Sequence, residues 1–222
     1  MRIFHHLEEI PTGLGPTVLS VGNFDGVHLA HRAVLKEVVA RAKATKATSM
    51  AVTFEPHPTR ILRPESAPRL ITPLAQKIKL LEQTGLDAVL VIPFSRDLSL
   101  MKPRDFAAKV LSKALRAREV HEGFNFHFGH KAEGNIERLA EFGKESGFEV
   151  KAYKEMTLRG HPVSSTSIRK LLHAGKVEGA RHLLGRVFSI TSTPGRGRGF
   201  GDRKSTRLNS SHIQKSRMPS SA

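Results

Sequence analysis

Thr17-Val-Leu-Ser-Val-Gly-Asn-Phe-Asp-Gly-Val-His-Leu-Ala-His31 is the stretch that decides how this chain is read. Its first half, Thr17–Phe24, is a short and nearly continuous apolar run, the pattern of a strand buried on both faces of a parallel sheet. Gly22 and Gly26 mark a turn, and a helical pattern follows from about His28 to Lys43. A buried strand that turns on glycine and opens a helix is the start of a βαβ unit. His28 and His31 stand three apart in the first helical turn and so share a face. Free N–H groups and the positive end of the helix dipole point at the same place. Two imidazoles beside a helix N-terminus can donate to phosphate oxygens; taken alone, they are equally at home as ordinary surface histidines.

The alternation continues outward from that stretch. Met50–Phe54, Ala88–Pro93, Val120–Glu122 and Phe148–Tyr153 read as further strands. Between them lie helical patterns at about His28–Lys43, at Thr72–Thr84 with Thr72 as N-cap and Pro73 in the first helical position, at Pro103–Ala117 and at Asn135–Ser146. Two short helices, Ser165–His173 and Val177–Leu184, close the folded part. Strands alternating with helices predict an α/β fold, a Rossmann-like parallel sheet with helices on both faces. Ligands bind beyond the carboxyl ends of the strands in such sheets, so chemistry is expected just after Phe24, Phe54, Pro93 and Glu122.

Bulk properties narrow the class. The 222 residues suffice for one good-sized core. No run of eighteen apolar residues occurs, and Met1–Ile10 carries Glu and His where a signal peptide needs an apolar stretch, so a cytoplasmic protein with no membrane partner is expected. The absence of cysteine excludes disulfides, thiolate metal sites and a Cys nucleophile. The formal charge of +16 points to polyanionic partners, nucleic acid or phosphorylated small molecules. From Pro194 onward there are seven Lys/Arg against one Asp, so the tail holds +6 of that surplus. Residues 202–222 have six serines and four scattered apolar side chains without a period, which predicts a disordered, non-native-looking tail.

Val163-Ser-Ser-Thr-Ser-Ile-Arg169 is the second phosphate-like segment: hydroxyls at a helix start, then an Arg able to hold two oxygens at once. By itself it reads as an N-cap with a surface Arg. Four segments in order, GNFDGVH–x–x–H (22–31), TFEPHP (53–58), GFNFHFG (123–129) and SSTSIR (164–169), resemble the FMN adenylyltransferase (FAD synthetase) domain of bacterial bifunctional riboflavin kinase/FAD synthetases. The similarity runs over roughly residues 1–185, and its first and last segments resemble the paired signatures of the HxGH nucleotidyltransferase superfamily.

The resemblance implies transfer of AMP from ATP to FMN, giving FAD and pyrophosphate, with Mg²⁺ carried by the ATP phosphates. It implies that His28, His31 and Arg169 stabilise charge on the reacting phosphates. Gly22, Asn23, Phe24, Asp25 and Gly26 would shape the adenine-nucleotide side, with Ser164, Ser165 and Thr166 at the distal phosphates. Phe54, Pro56, His57, Pro58, Asn125 and Phe128 would line the flavin side. Two departures stand out: Ala30 occupies the position of the motif glycine, and the pattern stops near Asp202. Residues 186–201, with their GRGRGFG run, resemble only the entry to the kinase domain. The chain is therefore expected to use FMN without making it, and to expose an apolar face where a kinase domain would dock. His121, His127 and His130 lack Cys or carboxylate partners at ligand spacing, so no protein-held metal is expected. Alternatives remain at this stage: a related nucleotidyltransferase with another phosphorylated acceptor, an inactive fragment, or a basic nucleic-acid binder. The low aromatic content and the tail-borne charge leave no specific nucleic-acid partner expected.

Overall fold

A computed structural model describes residues 1–190; the expectations for the tail and for residues 191–201 lie outside them. Met1–Phe188 form one compact unit. Six parallel strands make its sheet: β1 (Arg2–Phe4), β2 (Thr17–Val21), β3 (Thr48–Glu55), β4 (Ala88–Pro93), β5 (Ala117–Gly123) and β6 (Glu149–Tyr153), in the order β1-β4-β3-β2-β5-β6. The helices are α1 (Leu29–Thr45), α2 (Pro58–Leu62), α3 (Leu74–Glu82), α4 (Arg96–Ser99), α5 (Pro103–Asp105, continuing in π-helical turns over Phe106–Ala114), α6 (Ile136–Ser146), α7 (Ser165–His173) and α8 (Val177–Leu184). Among the described residues no helix is long and apolar enough to cross a membrane.

The apolar strand runs divide between two faces, as strand geometry requires. Leu19, Val21, Met50, Val52, Leu90 and Ile92 pack with Phe106, Val110 and Leu139 under α5 and α6. Val18, Ala51, Val89 and Val91 pack with Leu35, Val38 and Leu81 under α1 and α3. A third cluster joins Ile71 to Val163, Ile168, Ala180 and Leu184, seating α7 and α8 beside the start of α1.

The expected alternation holds with local differences. β1 has only three residues, two of them exposed, and gives no apolar run; pairing with β4 alone makes it a strand. The helix expected over Pro103–Ala117 stops at Ala114, where Leu115 N–H reaches back to Val110 O. Arg116 then takes a left-handed φ of 50°. The strand begins at Ala117, earlier than expected, because residues from there onward pair with β2 and β6. Pro73, not Thr72, is the N-cap of α3.

Thr72 is otherwise engaged, at the point that organises the site. Asp25, only 1% exposed, accepts the N–H groups of Ile71 and Thr72 at 3.0 Å, the Thr72 hydroxyl at 3.3 Å and Arg169 Nη2 at 2.6 Å. Its carbonyl accepts the Ser165 hydroxyl at 2.8 Å, and Gly26 N–H donates to Thr72 Oγ1 at 3.0 Å. One buried residue of the β2–α1 turn thereby ties together the entrances of α1, α3 and α7.

Beside this point the sheet order reverses: β2 leads through α1 to β3 on one side, while β5 and β6 lie on the other. Glu122 sits at the carboxyl end of β5, wholly buried. Its Oε1 accepts Val21 N–H at 2.5 Å, so a side chain takes a bond that a strand carbonyl would otherwise accept. Burial pushes this carboxyl well above the usual carboxylate range, against hydrogen bonds from Val21 N–H and the Ser20 hydroxyl.

Two outcomes are expected from these buried carboxyls. Asp25→Asn keeps an acceptor for Ile71 and Thr72 but removes the charge facing Arg169. Breaking a buried ion pair from one side costs about 3 kcal/mol, so the urea midpoint should fall with the m-value unchanged; an unaltered midpoint would remove Asp25 from this role. For Glu122 the folded carboxyl keeps a proton that the unfolded chain releases above about pH 4.5. Stability is therefore lost as pH rises through that value, by up to ~1.4 kcal/mol per pH unit until the folded group ionises. Glu122→Gln accepts the same N–H without titrating. It should be more stable than the wild type near pH 7.5, with the advantage gone near pH 4; equal midpoint differences at both pH values would contradict a neutral buried carboxyl.

Candidate active site

The β2–α1 turn is strained where it leads into α1. Gly26 takes φ +87°, and a Cβ there would meet Ile71 Cδ1 at 3.2 Å. Phe24 and Val27 adopt left-handed φ values of 45° and 38° without being glycine. For a β-branched residue such a conformation is unfavourable and persists only because its surroundings over-determine it. What the turn achieves is the placement of His28 as the N-cap of α1.

His28 Nδ1 accepts His31 N–H at 3.3 Å, which leaves the ring proton of a neutral His28 on Nε2. The two imidazoles stack at 3.6 Å between centroids and 15° between planes, with the Phe24 ring edge-on to His31 at 5.2 Å. His28 is buried, and desolvation lowers its pKa to about 4 despite the opposing charge of Asp25. Desolvation and the facing His28 push His31 well below its ordinary value too. His31 Nδ1 is buried with no hydrogen-bond partner. At neutral pH the pair is thus uncharged: two preset dipoles at the start of a helix.

α7 faces them across Asp25. Ser164 caps α7 by accepting Ser167 N–H at 3.1 Å, and Ser165 is bonded to the Asp25 carbonyl. The sequence expectation gave both hydroxyls to phosphate; here both hold α7 in place, and Thr166 is the exposed hydroxyl. Arg169 is braced by Asp25 Oδ2 and by Arg69 O, which accepts from Nε at 3.0 Å. Arg169, Thr166, Lys170 and His173 line a cleft of about 700 Å³ together with Ser66 and Pro68. Asn23 supplies a carbonyl that accepts the Thr53 hydroxyl at 3.2 Å, and Gly22 N–H donates to Val52 O at 2.9 Å.

The residues expected on the flavin side gather at the ends of β3 and β5. Phe54 meets Phe94 edge-on at 5.7 Å, the Glu55–Pro56 peptide is cis, and Pro58 opens α2. His57 is buried, accepts Thr59 N–H at 3.4 Å, and has a pKa lowered chiefly by desolvation. Asn125 is exposed, beyond Gly123. Phe128 is a core residue, packed on Phe106 and stacked on Phe126 at 5.3 Å, so little of its ring is left for a ligand.

His121, His127 and His130 do not converge. Both His121 ring nitrogens are engaged, by Tyr153 Oη at 2.7 Å and by Glu119 Oε2 at 3.0 Å, while Glu119 also takes Arg41 Nη2 at 2.6 Å. His130 Nδ1 bonds Ser99 O, and His127 is exposed. Among the described residues no group of three or more His, Cys, Asp or Glu could hold a metal ion. Two basic residues beside the site were not expected from sequence. Arg186 is half-buried, donates to Val27 O at 3.5 Å, and its charge bears on His28. Lys77 is buried under the β2–α1 turn. Lys77 lay in a stretch that periodicity assigns to a core stripe, and Arg186 in a segment read as leading out of the fold.

The FAD synthetase family model matches residues 11–167. The chain is 34% identical over 192 residues to a bifunctional riboflavin kinase/FMN adenylyltransferase of Buchnera aphidicola from Schizaphis graminum, covering 86% of this chain and 61% of that protein. It is 32% identical over 191 residues to the protein of the same description from Escherichia coli K12, covering 86% and 60%. A Pseudomonas fluorescens protein of that description is 36% identical over 173 residues, covering 78% and 55%. The chain thus spans about three fifths of the length of the relatives it matches. In fold alone it resembles the crystal structure of a Streptococcus pneumoniae protein described as a macrolide-efflux protein, with a TM-score of 0.72, 23% identity, and coverage of 84% of this chain and 60% of that one. With its paired signatures meeting at Asp25 and the family model spanning most of its described residues, this chain belongs to the FAD synthetase family.

Proposed function

We propose that this chain transfers the AMP half of ATP to FMN, forming FAD and releasing pyrophosphate. The observation that carries the reading is the stacked His28–His31 pair at the N-terminus of α1, coupled through Asp25 to Arg169. An oxygen of the FMN phosphate would attack the α-phosphorus of ATP, and the bond to the β-phosphate would break with its electron pair leaving on pyrophosphate. The attacking phosphate is already ionised near pH 7, its second pKa lying near 6, so the site needs no strong general base. What it needs is alignment and stabilisation of charge on the transferring group.

His28 Nε2–H and the α1 N-terminus suit the α- and β-phosphate oxygens. Being neutral, the imidazoles donate hydrogen bonds without titrating as substrates exchange. Thr166, Lys170 and the braced Arg169 line the cleft that suits the distal phosphates, with the first-turn N–H groups of α7 behind them. Mg²⁺ would reach the site on the triphosphate. There it would neutralise part of the charge of the phosphates. Phe54, Pro56, His57 and Asn125 suit the flavin side, with Phe54 and Phe94 better exposed for ring contact than Phe128. Val177 and Val187 are exposed apolar side chains that a kinase domain would cover.

Ala30 is the departure from the family signature. It is half-buried, and it packs with Leu29 against the cluster of Ile71, Ile168 and Leu184. A methyl group with apolar neighbours is accommodated by the fold, so it need not displace a nucleotide.

Purified chain with ATP, Mg²⁺ and FMN should yield FAD by chromatography. His31→Ala should lower kcat by about 10²-fold or more with a melting temperature near that of the wild type. FAD absent from the wild-type reaction, or His31→Ala as active as the wild type, would overturn the reading. Ala30→Gly should leave kcat within about threefold of the wild type while costing about 1 kcal/mol through the helix propensity of glycine. A large gain in turnover on Ala30→Gly would mean that the methyl obstructs the substrate.

A further inference from the structure

Lys77 is a charged residue that the fold does not explain. It lies in the first turns of α3 and is 3% exposed. Its Nζ donates to Thr53 Oγ1 at 3.4 Å, and that hydroxyl donates on to the Asn23 carbonyl in the β2–α1 turn. Among the described residues no carboxylate lies within ion-pair distance of Nζ. One long, neutral hydrogen bond is poor compensation for a desolvated ammonium. The packing of the Lys77 stem against the α1–α3 side of the sheet would be served as well by Met. Stability alone therefore gives no reason for the charge.

Position gives one. The ammonium lies near enough to His31, from α1, and His57, from the loop after β3, to bear on both imidazoles. Desolvation lowers the pKa of the Lys77 amine against the charges of Glu55 on β3 and Asp25 in the turn, and Asp25 is committed to Arg169 and α3. Its charge thus reaches one imidazole of the expected ATP side and one of the expected flavin side. The reaction proposed above brings two anions together at that place, a phosphate monoester and the α-phosphate of a triphosphate. Their mutual repulsion is strong in a desolvated site.

We propose that Lys77 is a positioning residue for adenylyl transfer, its buried ammonium being the fixed counter-charge that holds the acceptor phosphate against the α-phosphate between His31 and His57. This rests on the FMN adenylyltransferase reading. An arriving phosphate supplies the partner that the folded chain withholds and favours the charged form of the amine. A compact ammonium, in contrast to a guanidinium fork, acts as a point charge and leaves the two phosphates free to move along the line of attack. The cost of burying it is borne by the empty site and returned when both phosphates are present, so the effect falls on turnover more than on ATP binding.

Lys77→Met and Lys77→Gln both remove the charge, the first keeping an apolar stem and the second a polar end. In the full chain, either variant should melt at or above the wild-type temperature without substrate, because a buried unpaired charge is gone. It should bind Mg·ATP within about threefold of the wild type by calorimetry and lose about 10²-fold in kcat for FAD formation. Lys77→Arg, which keeps the charge, should recover part of that loss. Wild-type kcat in either neutral variant overturns the proposal. So does a kcat loss that appears only together with a lowered melting temperature, since that is the signature of a residue needed for folding. If the wild-type chain makes no FAD under the same conditions, the functional reading itself fails; if it does while Lys77→Met matches it, only the role of Lys77 fails.

Discussion

The buried carboxylate of Asp25 is the constraint on which the remainder of the site depends. It is nearly inaccessible, yet it takes two backbone N–H groups from the entrance to α3 and a guanidinium nitrogen from α7, while its own backbone belongs to the turn that opens α1. Helices docked on a sheet by apolar contacts alone can slide by fractions of an ångström, because such contacts are non-directional. Directional bonds to one charged group remove that freedom where the entrances of three helices meet. Asp25, which the resemblance puts on the adenine-nucleotide side, is thus engaged by the protein itself, and so are the hydroxyls of Ser164 and Ser165. What remains for a substrate is the set of groups these bonds hold in position.

Those groups share one electrostatic character. The N-termini of α1 and α7, the Lys77 ammonium, the Arg169 guanidinium and the half-buried Arg186 all present positive potential, and Asp25 offsets only part of it. The imidazoles between them stay neutral because burial makes a further cation too costly there. A site with this surplus is matched to a highly charged ligand such as a triphosphate. The net charge of the chain says much less, since +6 of its +16 lies in the tail from Pro194 onward.

Much of the fold was legible in the residues, and the reasons differ by element. Ala88–Pro93, Ser165–His173 and Val177–Leu184 have the bounds that their apolar patterns imply. β1 was not legible: three residues with two exposed carry no period, and only pairing with β4 makes them a strand. The π-helical stretch after Asp105 was read as an ordinary helix, since a single residue of slack in the hydrogen-bond ladder leaves the apolar spacing almost unchanged. In the site, His28 and His31 could be singled out because spacing alone puts them on one face. Their stacking and neutrality could not be anticipated, because both follow from a turn whose φ values are unusual for Phe24 and Val27.

Lys77 marks the limit of that kind of reading. Helical period tells which face of α3 is buried, and Lys77 and Leu81 are indeed its buried residues. Period is silent about charge: a lysine on a buried face reads as a stem packed on the core with its head in water, and most are. Here the head is not in water. It ends beneath the β2–α1 turn beside a threonine hydroxyl, within the field of two imidazoles from different elements. A buried ammonium without a carboxylate is unfavourable in any fold considered as a resting structure. It becomes intelligible once the unit considered is the protein with its phosphates, in which the missing anion belongs to the substrates. Of the two anions that bear on Lys77, Asp25 is already paired with Arg169 and with the entrance to α3, which leaves the ammonium for an arriving phosphate.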